Sequence, residues 1–445
     1  MAMVTTQRKI QHLFLRAGFG ESPETIRSFA ERNIPDLVDE LLERSSQSSE
    51  LHTLKNPVRG EEASNLRIAL MILRSKKQVK ELNLAWLEKM AEESAQLREK
   101  MTLFWHGHFA TRVPFAYLMQ VQNNTLRQHA LGSFRDLLHA VARDPAMLIF
   151  LNNQQNKKGS PNENFARELM ELFTLGEGHY TEQDIREAAR AFTGWQVNKG
   201  GKFEFNAKRH DFGDKTVFGQ TGDWNGDDVI DIILDKPRTA EFITEKVYTY
   251  FVNEQTDPQR IKELGEQFFA SDYDISALLA GIFKSDWFYD EGNRGNKIAS
   301  PIELLVRYRR LFHLKLSDDE LWLGSQRILG QMLFNPPNVA GWPGGRNWID
   351  SSSLMFRLNL APLFFEYQKV DKWSGTRADW TVLYNTFENL EPEELVSEVT
   401  HALLQTDISD KHTLITRQLL PHTDSKERIK SAVVRTMMLP EFQLI

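Results

Sequence analysis

Apolar residues recur at intervals of three and four along most of the chain, which is the period of an amphipathic α-helix. Helix start signals accompany them. Residues 22–24 (Ser-Pro-Glu) put a capping serine before a first-turn proline, and residues 160–163 (Ser-Pro-Asn-Glu) have the form of a capping box. Residues 195–222 depart from this pattern, because glycine-rich turns separate short alternating runs there. The pattern predicts a mainly α, multi-helical globular architecture with a small β-hairpin insert near 195–222.

The helical pattern continues without a repeat of fixed period and without a long linker. We therefore expect one large helical domain over residues 1–445. The alternative is a subdivision into an N-terminal helical part (1–150), a part that carries most of the motifs (151–360) and a set of C-terminal helices (361–445).

The composition excludes several kinds of chemistry. The chain has no cysteine, which rules out disulfides, thiolate metal ligands and cysteine nucleophiles. Basic and acidic residues are mixed along the chain and give a net charge of -7, so we expect no nucleic-acid partner. Residues 1–20 lack the apolar core of a secretory signal, and no apolar run is long enough to span a membrane. These features favour a cytoplasmic location.

The most informative segment is 151–222, where a predicted helix carries two glutamates. On a wheel of about 100° per residue centred on Phe165, Glu168 falls inside the apolar arc, so we expect its side chain to be buried. Glu171 lies about 60° away at the edge of the arc, and the two carboxylates could meet at one pocket rim. A buried carboxylate needs a partner or a raised pKa. Glu168 is therefore either a general acid or base, or a member of a core ion pair.

The next predicted helix, which Thr181 caps, carries Arg186 and Arg190 one turn apart. Two arginines so placed can hold a carboxylate, phosphate or sulfate. They can equally pair with Glu182 and Glu187 on the same helix, which is the usual state of an exposed row of charges.

The loop at 209–215 adds an imidazole, a carboxylate and two cations, namely His210, Asp211, Arg209 and Lys215. Histidine has an ordinary pKa suited to general acid or base work, and a neighbouring carboxylate could orient the ring or join it in binding a metal. We expect Glu168, Arg190 and His210 to converge on one site.

His106 and His108 lie two positions apart and would leave a helix in nearly opposite directions. If the apolar residues at 97, 101, 104 and 105 form the buried face, His108 lies at its centre and His106 meets solvent. His108 is then either a hydrogen-bonded core histidine or a weak candidate ligand for a divalent metal, together with Glu171 and the acids and histidine of 168–211.

Residues 334–345 contain three prolines, which remove backbone donors and predict a rigid loop. Trp342, Arg346 and Trp348 offer two aromatic faces and a polar edge, which suits stacking on a sugar ring or another flat ligand. The alternative is that the tryptophans pin an irregular loop to the core.

Several longer motifs resemble those of a known family. They are HLFLRAGFG at 12–20, REKMTLFWHGHFA at 98–110, and residues 162–176, 180–195, 209–219, 336–345 and 439–443. The chain thereby resembles the bacterial family catalogued as domain of unknown function 1800, which brings no established activity. The resemblance implies relatives that often look exported and a sulfatase-like or phosphatase-like neighbour protein. From residues 1–20 we expect this chain to differ from those relatives in having no export signal.

The leading hypothesis is a hydrolase acting on an anionic or glycan-like substrate. The two arginines and the lysine would hold negative charge, the glutamate or the histidine would act as general acid or base, and the tryptophans would stack on the substrate. The rival hypothesis is a non-catalytic scaffold or partner protein, in which the same polar cluster is a structural network. A divalent metal cofactor is a third hypothesis.

Overall fold

The computed structural model describes residues 6–47, 49–58, 63–315, 319–365, 377–421 and 424–445. Over these residues the chain forms 22 α-helices and two small two-stranded sheets, so the predicted mainly α architecture is confirmed. The helices are α1 (Thr6–Ala17), α2 (Pro23–Ser28), α3 (Ile34–Arg44), α4 (Asn65–Glu92), α5 (Gln96–His108), α6 (Ala116–His129), α7 (Phe134–Ala142), α8 (Pro145–Phe150), α9 (Asn164–Glu168), α10 (Glu182–Ala191), α11 (Gly226–Leu234), α12 (Pro237–Phe251), α13 (Pro258–Ala270), α14 (Ile275–Phe283), α15 (Pro301–Phe312), α16 (Asp319–Leu329), α17 (Ser351–Leu358), α18 (Leu360–Phe365), α19 (Thr381–Phe387), α20 (Pro392–Leu403), α21 (Asp410–Gln418) and α22 (Ser425–Met437).

Local capping explains where many of these helices begin. The Ser22 side chain accepts a hydrogen bond from the N–H of Thr25, as predicted, and Thr181 forms a capping box with Asp184 at the start of α10. The capping box predicted at 160–163 is wrong. Helix α9 begins only at Asn164, whose N–H is bound by the side chain of Asn162.

The β insert consists of two hairpins rather than one. β1 (Trp195–Val197) pairs antiparallel with β2 (Phe203–Phe205), and β3 (Lys215–Val217) pairs antiparallel with β4 (Gln220–Gly222). The second turn is tight, and Gly219 has a φ of +79°, a left-handed conformation that glycine adopts without steric cost. β3 packs against α10, so the insert is held on the helical body.

Two hydrophobic clusters form the interior. The first is built mainly from α7–α14, and the second mainly from α4, α15, α16, α18–α20 and α22. Helix α5 belongs to both, because Leu97, Met101 and Phe104 pack in the first cluster while Leu103 packs in the second. This helix is therefore the element around which the two cores meet.

Because α5 is surrounded, its polar side chains are buried along with its apolar ones. Every residue from Gln96 to His106 is buried. The Glu99 carboxylate accepts hydrogen bonds from Arg127 at 2.7 and 3.1 Å and from the indole N–H of Trp86 at 2.8 Å. Burying such a charge is tolerable only when it is paired and hydrogen-bonded in this way.

A second buried ion pair joins α5 to α15. Lys100 binds Glu303, and its ammonium also donates to the carbonyl oxygen of Gly18 at 2.8 Å. The Glu303 carboxylate in turn accepts from the N–H of Ser300 at 2.7 Å, which completes the capping box of α15. The pair therefore ties α1, α5 and α15 together at the junction of the two cores.

No helix in the described part of the chain combines the length and the apolar character that a membrane span needs.

Replacing Glu99 with glutamine tests the buried pair with Arg127. The substitution keeps the side-chain shape but leaves the Arg127 charge unpaired, so we expect the free energy of unfolding to fall by about 3–5 kcal/mol. Denaturant midpoints measured by circular dichroism would report the change. The exposed Glu388→Gln serves as the control and should stay within about 0.5 kcal/mol. Equal stability of the two variants would contradict the role assigned to this pair.

Candidate functional site

A cavity of about 270 Å³ opens where the two cores meet, between the end of α5 and residues 334–348. We call this proline-rich segment, which carries Trp342 and Trp348, the tryptophan loop. We call the cavity the tryptophan pocket. Its volume is close to the lower end of the usual range for small-molecule sites, roughly 300–1,000 Å³. Its aromatic walls are Phe104, Trp342 and Trp348, and its polar lining consists of His108, Lys246, Tyr250, Lys297, Ser300, Glu303 and Gln331.

His108 ends α5 and lines the pocket. Its Nε2 lies 3.1 Å from the carbonyl oxygen of Phe173, which can only accept, so Nε2 carries the proton and Nδ1 holds the free lone pair. Burial and the nearby charge of Lys246 lower the pKa of His108 to about 3. The ring is therefore neutral at physiological pH, with an unprotonated nitrogen available.

The expected positions of the two histidines are reversed. His108 is only half-buried, whereas His106 is buried and its Nε2 accepts from the N–H of Phe334 at 3.1 Å. The His106 ring also packs against Trp86 and Trp342. The prediction of a solvent-facing His106 is wrong because the tryptophan loop covers that side of α5.

A π-helix at Leu169–Thr174 follows α9 and forms one wall of the pocket. Leu172 lines the cavity, and the carbonyl oxygen of Phe173 is the group that binds His108. π-helical turns are rare and occur often at functional sites. Here the wider turn changes the angular spacing of the side chains, which a wheel of ordinary helical period does not take into account.

Cations outnumber carboxylates around this pocket. Lys246 and Lys297 line it, and the ammonium groups of Lys100 and Lys297 lie 5.8 and 6.0 Å from the centre of the Tyr250 ring. Glu303 is the one carboxylate among the lining residues of the described chain, and Lys100 already binds it. The pocket therefore has an excess of positive charge.

Burial disfavours the charged forms of several of these groups and thereby shifts their pKa values. Burial and the charge of Arg16 lower the pKa of Lys297 to about 8, although its ammonium donates to the carbonyl oxygen of Thr249 at 2.7 Å. Burial alone would raise the pKa of Glu303, but the charge and hydrogen bond of Lys100 outweigh it and lower that pKa. Burial also lowers the pKa of Arg357, and Glu303 only partly offsets this effect.

Some buried donors at this junction have no partner within the protein. The hydroxyl of Tyr250 is one, and the Nε and Nη2 atoms of Arg357 are two others. Arg357 otherwise donates only to the carbonyl oxygen of Ala299, at 3.0 Å. Nearly all buried polar groups in folded proteins are hydrogen-bonded to protein or to ordered molecules, so donors of this kind indicate a place for a ligand or for water.

The tryptophan loop is held against α5 by close backbone contact. Gly341 has a φ of +79°, and a Cβ there would overlap the carbonyl oxygen of Gly107. Gly345 has a φ of +62°, and a Cβ there would overlap the carboxylate of Glu254. Trp342 and Trp348 thereby reach the pocket, whereas Arg346 is exposed and does not line it.

The arginine row predicted on α10 makes contacts within the protein. Arg190 binds the carboxylates of Asp211 and Glu187 at 2.9 and 2.7 Å, and its hydrogen bond to Asp211 lowers the pKa of that acid. Arg186 is exposed and donates to the side chain of Gln183 at 3.1 Å. The fully buried Lys215 pairs with Asp223 at 3.0 Å. Arg190 and Lys215 are therefore paired with carboxylates of the protein, whereas Arg186 contacts only a neutral amide.

His210 is buried beside this network. Its Nδ1 lies 2.8 Å from the carbonyl oxygen of Thr193, and its ring packs edge-on against Phe205 and Phe212. The N–H of the next residue, Asp211, donates to the hydroxyl of Thr193 at 2.8 Å. The structure thus gives His210 and Asp211 well-defined structural contacts, and their catalytic roles remain a prediction.

Glu168 does not take the position expected for it. Its side chain is half-buried rather than buried, and it forms no hydrogen bond or ion pair with Arg186, Arg190 or His210. Burial raises the pKa of Glu168, and the neighbouring charge of Glu171 raises it further. Arg190 instead pairs with Glu187 of its own helix and with Asp211 of the insert, and the convergence of Glu168 with the arginine row and His210 stays a prediction.

The metal hypothesis required several acids and histidines to come together. The Glu171 carboxylate instead accepts from the hydroxyl of Tyr180 at 2.5 Å, while His108 binds the backbone of the π-helix. Within the described ranges, no three histidine, aspartate or glutamate side chains lie close enough to hold one ion. His108 and Glu171 therefore do not form a shared metal site.

The structure brings three predicted residues, His108, Trp342 and Trp348, to one pocket and adds others that the sequence analysis missed. Lys246, Tyr250, Lys297 and Glu303 lie on α12, in the loop before α15 and on α15. One of them had a sequence signal. Residues 300–303 (Ser-Pro-Ile-Glu) have the same capping form as other helix starts in this chain, although nothing in that motif indicates a partner at position 100.

These features describe a mainly α-helical protein with a cation-rich pocket at the junction of two cores. A family profile described as "Protein of unknown function (DUF1800)" matches residues 12–444, nearly the whole chain. The chain therefore belongs to the DUF1800 family, as its motifs predicted. Comparison with curated proteins and with solved structures found no match.

Substituting Gly341 with alanine tests the loop contact that builds the pocket wall. The new Cβ would overlap the backbone at Gly107 and strain a left-handed φ, so we expect a loss of about 2 kcal/mol or more in the free energy of unfolding. Thermal and denaturant unfolding would measure it. Gly344→Ala is the matched control, because its φ is negative and a Cβ there meets nothing within 4 Å. Equal effects of the two substitutions would contradict the proposed packing.

Proposed function

We propose that this protein is a hydrolase that binds an anionic, ring-containing substrate in the tryptophan pocket and cleaves an ester bond of that substrate. The observation that carries the proposal is the excess of positive charge around the pocket. Lys246 and Lys297 line the pocket, while Lys100 binds Glu303, the one carboxylate in its described lining. An anion entering this environment would be strongly favoured, because charges interact more strongly where water is excluded.

The other lining groups fit a flat polar substrate. Trp342, Trp348 and Phe104 provide aromatic surfaces on which a sugar or other ring can stack. The unpartnered hydroxyl of Tyr250 can donate to an oxygen of the substrate. These groups would orient the ring while the lysines hold the negative charge.

The reaction most compatible with these groups is hydrolysis of an ester such as a phosphate, sulfate or carboxylate ester. His108 has a free Nδ1 that can accept a proton from an attacking water, and a bound anion would raise its low pKa by opposing the charge of Lys246. Hydrolysis of a glycosidic bond generally needs two carboxylates facing the bond. Glu303 alone, already bound to Lys100, does not supply them.

A non-catalytic binding protein is the second candidate. The specific observation in its favour is that the cluster around Arg190, Asp211 and His210 is satisfied by protein groups, as expected for a structural network. In that case the tryptophan pocket would bind an anion without converting it. Binding and turnover therefore need separate measurements.

Binding is tested with inorganic sulfate, inorganic phosphate and glucuronate by calorimetry. Lys297→Met should weaken binding at least about tenfold, because it removes a lining cation. Lys262→Met is the matched control, since that lysine is exposed on α13 and does not line the pocket. Both variants should keep the unfolding temperature of the wild type to within a few degrees. No anion binding by folded wild-type protein would overturn the proposal.

Turnover is tested with aryl phosphate, sulfate and acetate esters. His108→Ala should lower kcat by about 10²–10⁴-fold, the range typical of a lost general base. Wild-type activity that persists unchanged in His108→Ala would exclude this residue as the base. Anion binding without turnover of any ester would favour the non-catalytic candidate.

The low pKa of Lys297 predicts how anion affinity depends on pH. An anion stabilises the charged ammonium, so above a pKa of about 8 binding must take up a proton. Sulfate affinity should therefore be constant between pH 6.5 and 7.5 and fall by up to about tenfold per unit above pH 8. Calorimetry in buffers of equal ionic strength would measure this, since sulfate itself does not titrate in this range. The decline should be absent in Lys297→Met, and a decline that persists in this variant would assign the effect to another group.

A further inference from the structure

A second cavity adjoins the tryptophan pocket across the two tryptophans. It is an open groove of about 580 Å³ between the end of α16 and the tryptophan loop, and we call it the outer groove. Its lining includes Arg112, Arg327 and Pro336, together with Trp342 and Trp348. Both tryptophans also line the tryptophan pocket, so one aromatic wall serves two cavities.

This shared wall is packed against the body of the protein. Trp342 packs on the buried ring of His106, with the ring centres 5.5 Å apart, and Trp348 is buried. Prolines at 336, 337 and 343 fix the backbone torsions on either side of the contact at Gly341. A ligand longer than one ring would therefore meet a preformed surface that continues from the pocket into the groove.

The groove carries positive charge of its own. The Glu320 carboxylate, which pairs with Lys80, also lies within electrostatic reach of Arg327, and Arg112 donates to the side chain of Asn335 at 3.2 Å. Among the described lining residues the one carboxylate is Asp350, which caps α17 by accepting from the N–H of Ser353 at 2.7 Å. Two arginines therefore share the groove with one carboxylate, and the lining has a net positive charge.

Apolar surface lies between these cations. Ile328 is 53% exposed beside Arg327, which is unusual for an isoleucine at the end of a helix that packs in the core. Flat apolar and aromatic surface next to arginine is the combination on which sugar rings with charged substituents can lie. An extended anionic chain would cover Ile328 and place its charges near Arg112 and Arg327.

We infer that the outer groove is a second subsite and that the substrate is an anionic oligosaccharide chain rather than a single sugar. One unit would occupy the tryptophan pocket, and the following units would cross Trp342 and Trp348 into the groove. The inference rests on the proposed function, since the pocket must bind the first anionic unit. It adds the class and minimum length of the ligand.

The test compares chain lengths. Galacturonate and its trimer and hexamer, and sulfated disaccharides and hexasaccharides derived from heparin, would be titrated by calorimetry at one fixed salt concentration. We expect a hexamer of at least one series to bind about tenfold or more tightly than its shortest member. Arg327→Met should remove most of that gain and leave binding of the shortest member and of inorganic sulfate unchanged. Arg74→Met, at an exposed position of α4 outside both cavities, is the matched control.

The outcomes separate the two proposals. If the shortest ligands and sulfate bind but the hexamers gain nothing, or if Arg327→Met behaves as the control does, the second subsite is overturned and the pocket stands. If neither sulfate nor any sugar binds to folded protein, the proposed function fails and the inference fails with it. An equal loss of affinity in Arg327→Met and Arg74→Met would indicate a general charge effect and would also overturn the subsite.

Discussion

The ion pair between Lys100 and Glu303 is the interaction on which the rest of the structure depends. It lies where the two hydrophobic cores meet, on a helix whose residues from Gln96 to His106 are all buried. Removing one partner of such a pair typically costs about 3–5 kcal/mol, because the remaining charge is left without solvent or counter-charge. This penalty disfavours any arrangement that separates α5 from α15. The floor of the tryptophan pocket is fixed by the same contact.

The pair does not neutralise its surroundings, and this imbalance gives the pocket its character. Arg16 and Lys297 are stabilised mainly by backbone carbonyl oxygens, which accept hydrogen bonds but carry only partial charge. Burial lowers the pKa of both groups, and the charges of Glu303 and Glu254 only partly offset it. The charges of Arg16 and Lys100 lower the pKa of Lys297 further. An anionic ligand would relieve that repulsion and satisfy donors such as the Tyr250 hydroxyl. The fold orients these charges and donors before a ligand binds, as in other preorganised sites.

Two clusters of similar residue types behave differently in this chain. Arg190 and Lys215 have carboxylate partners, so their charges are compensated within the protein. Around Glu303 the cations outnumber the acids, so charge and donors remain for a ligand. Residue type alone does not distinguish these cases, because the outcome depends on which acids the fold brings within reach. The sequence directed attention to the first cluster since its residues are close together in the chain.

The sequence by itself determined the helices, because capping, helical periodicity and proline placement act between residues a few positions apart. Thr181 with Asp184 and Ser22 with Thr25 are examples, and the family motifs and the rigid tryptophan loop were equally evident. Only the tertiary structure decided which side of α5 is covered, where the π-helix replaces an α-helical turn, and that Lys100 meets a glutamate 203 positions away in the chain. Those features depend on packing between distant elements, and local patterns carry no information about which surfaces will meet.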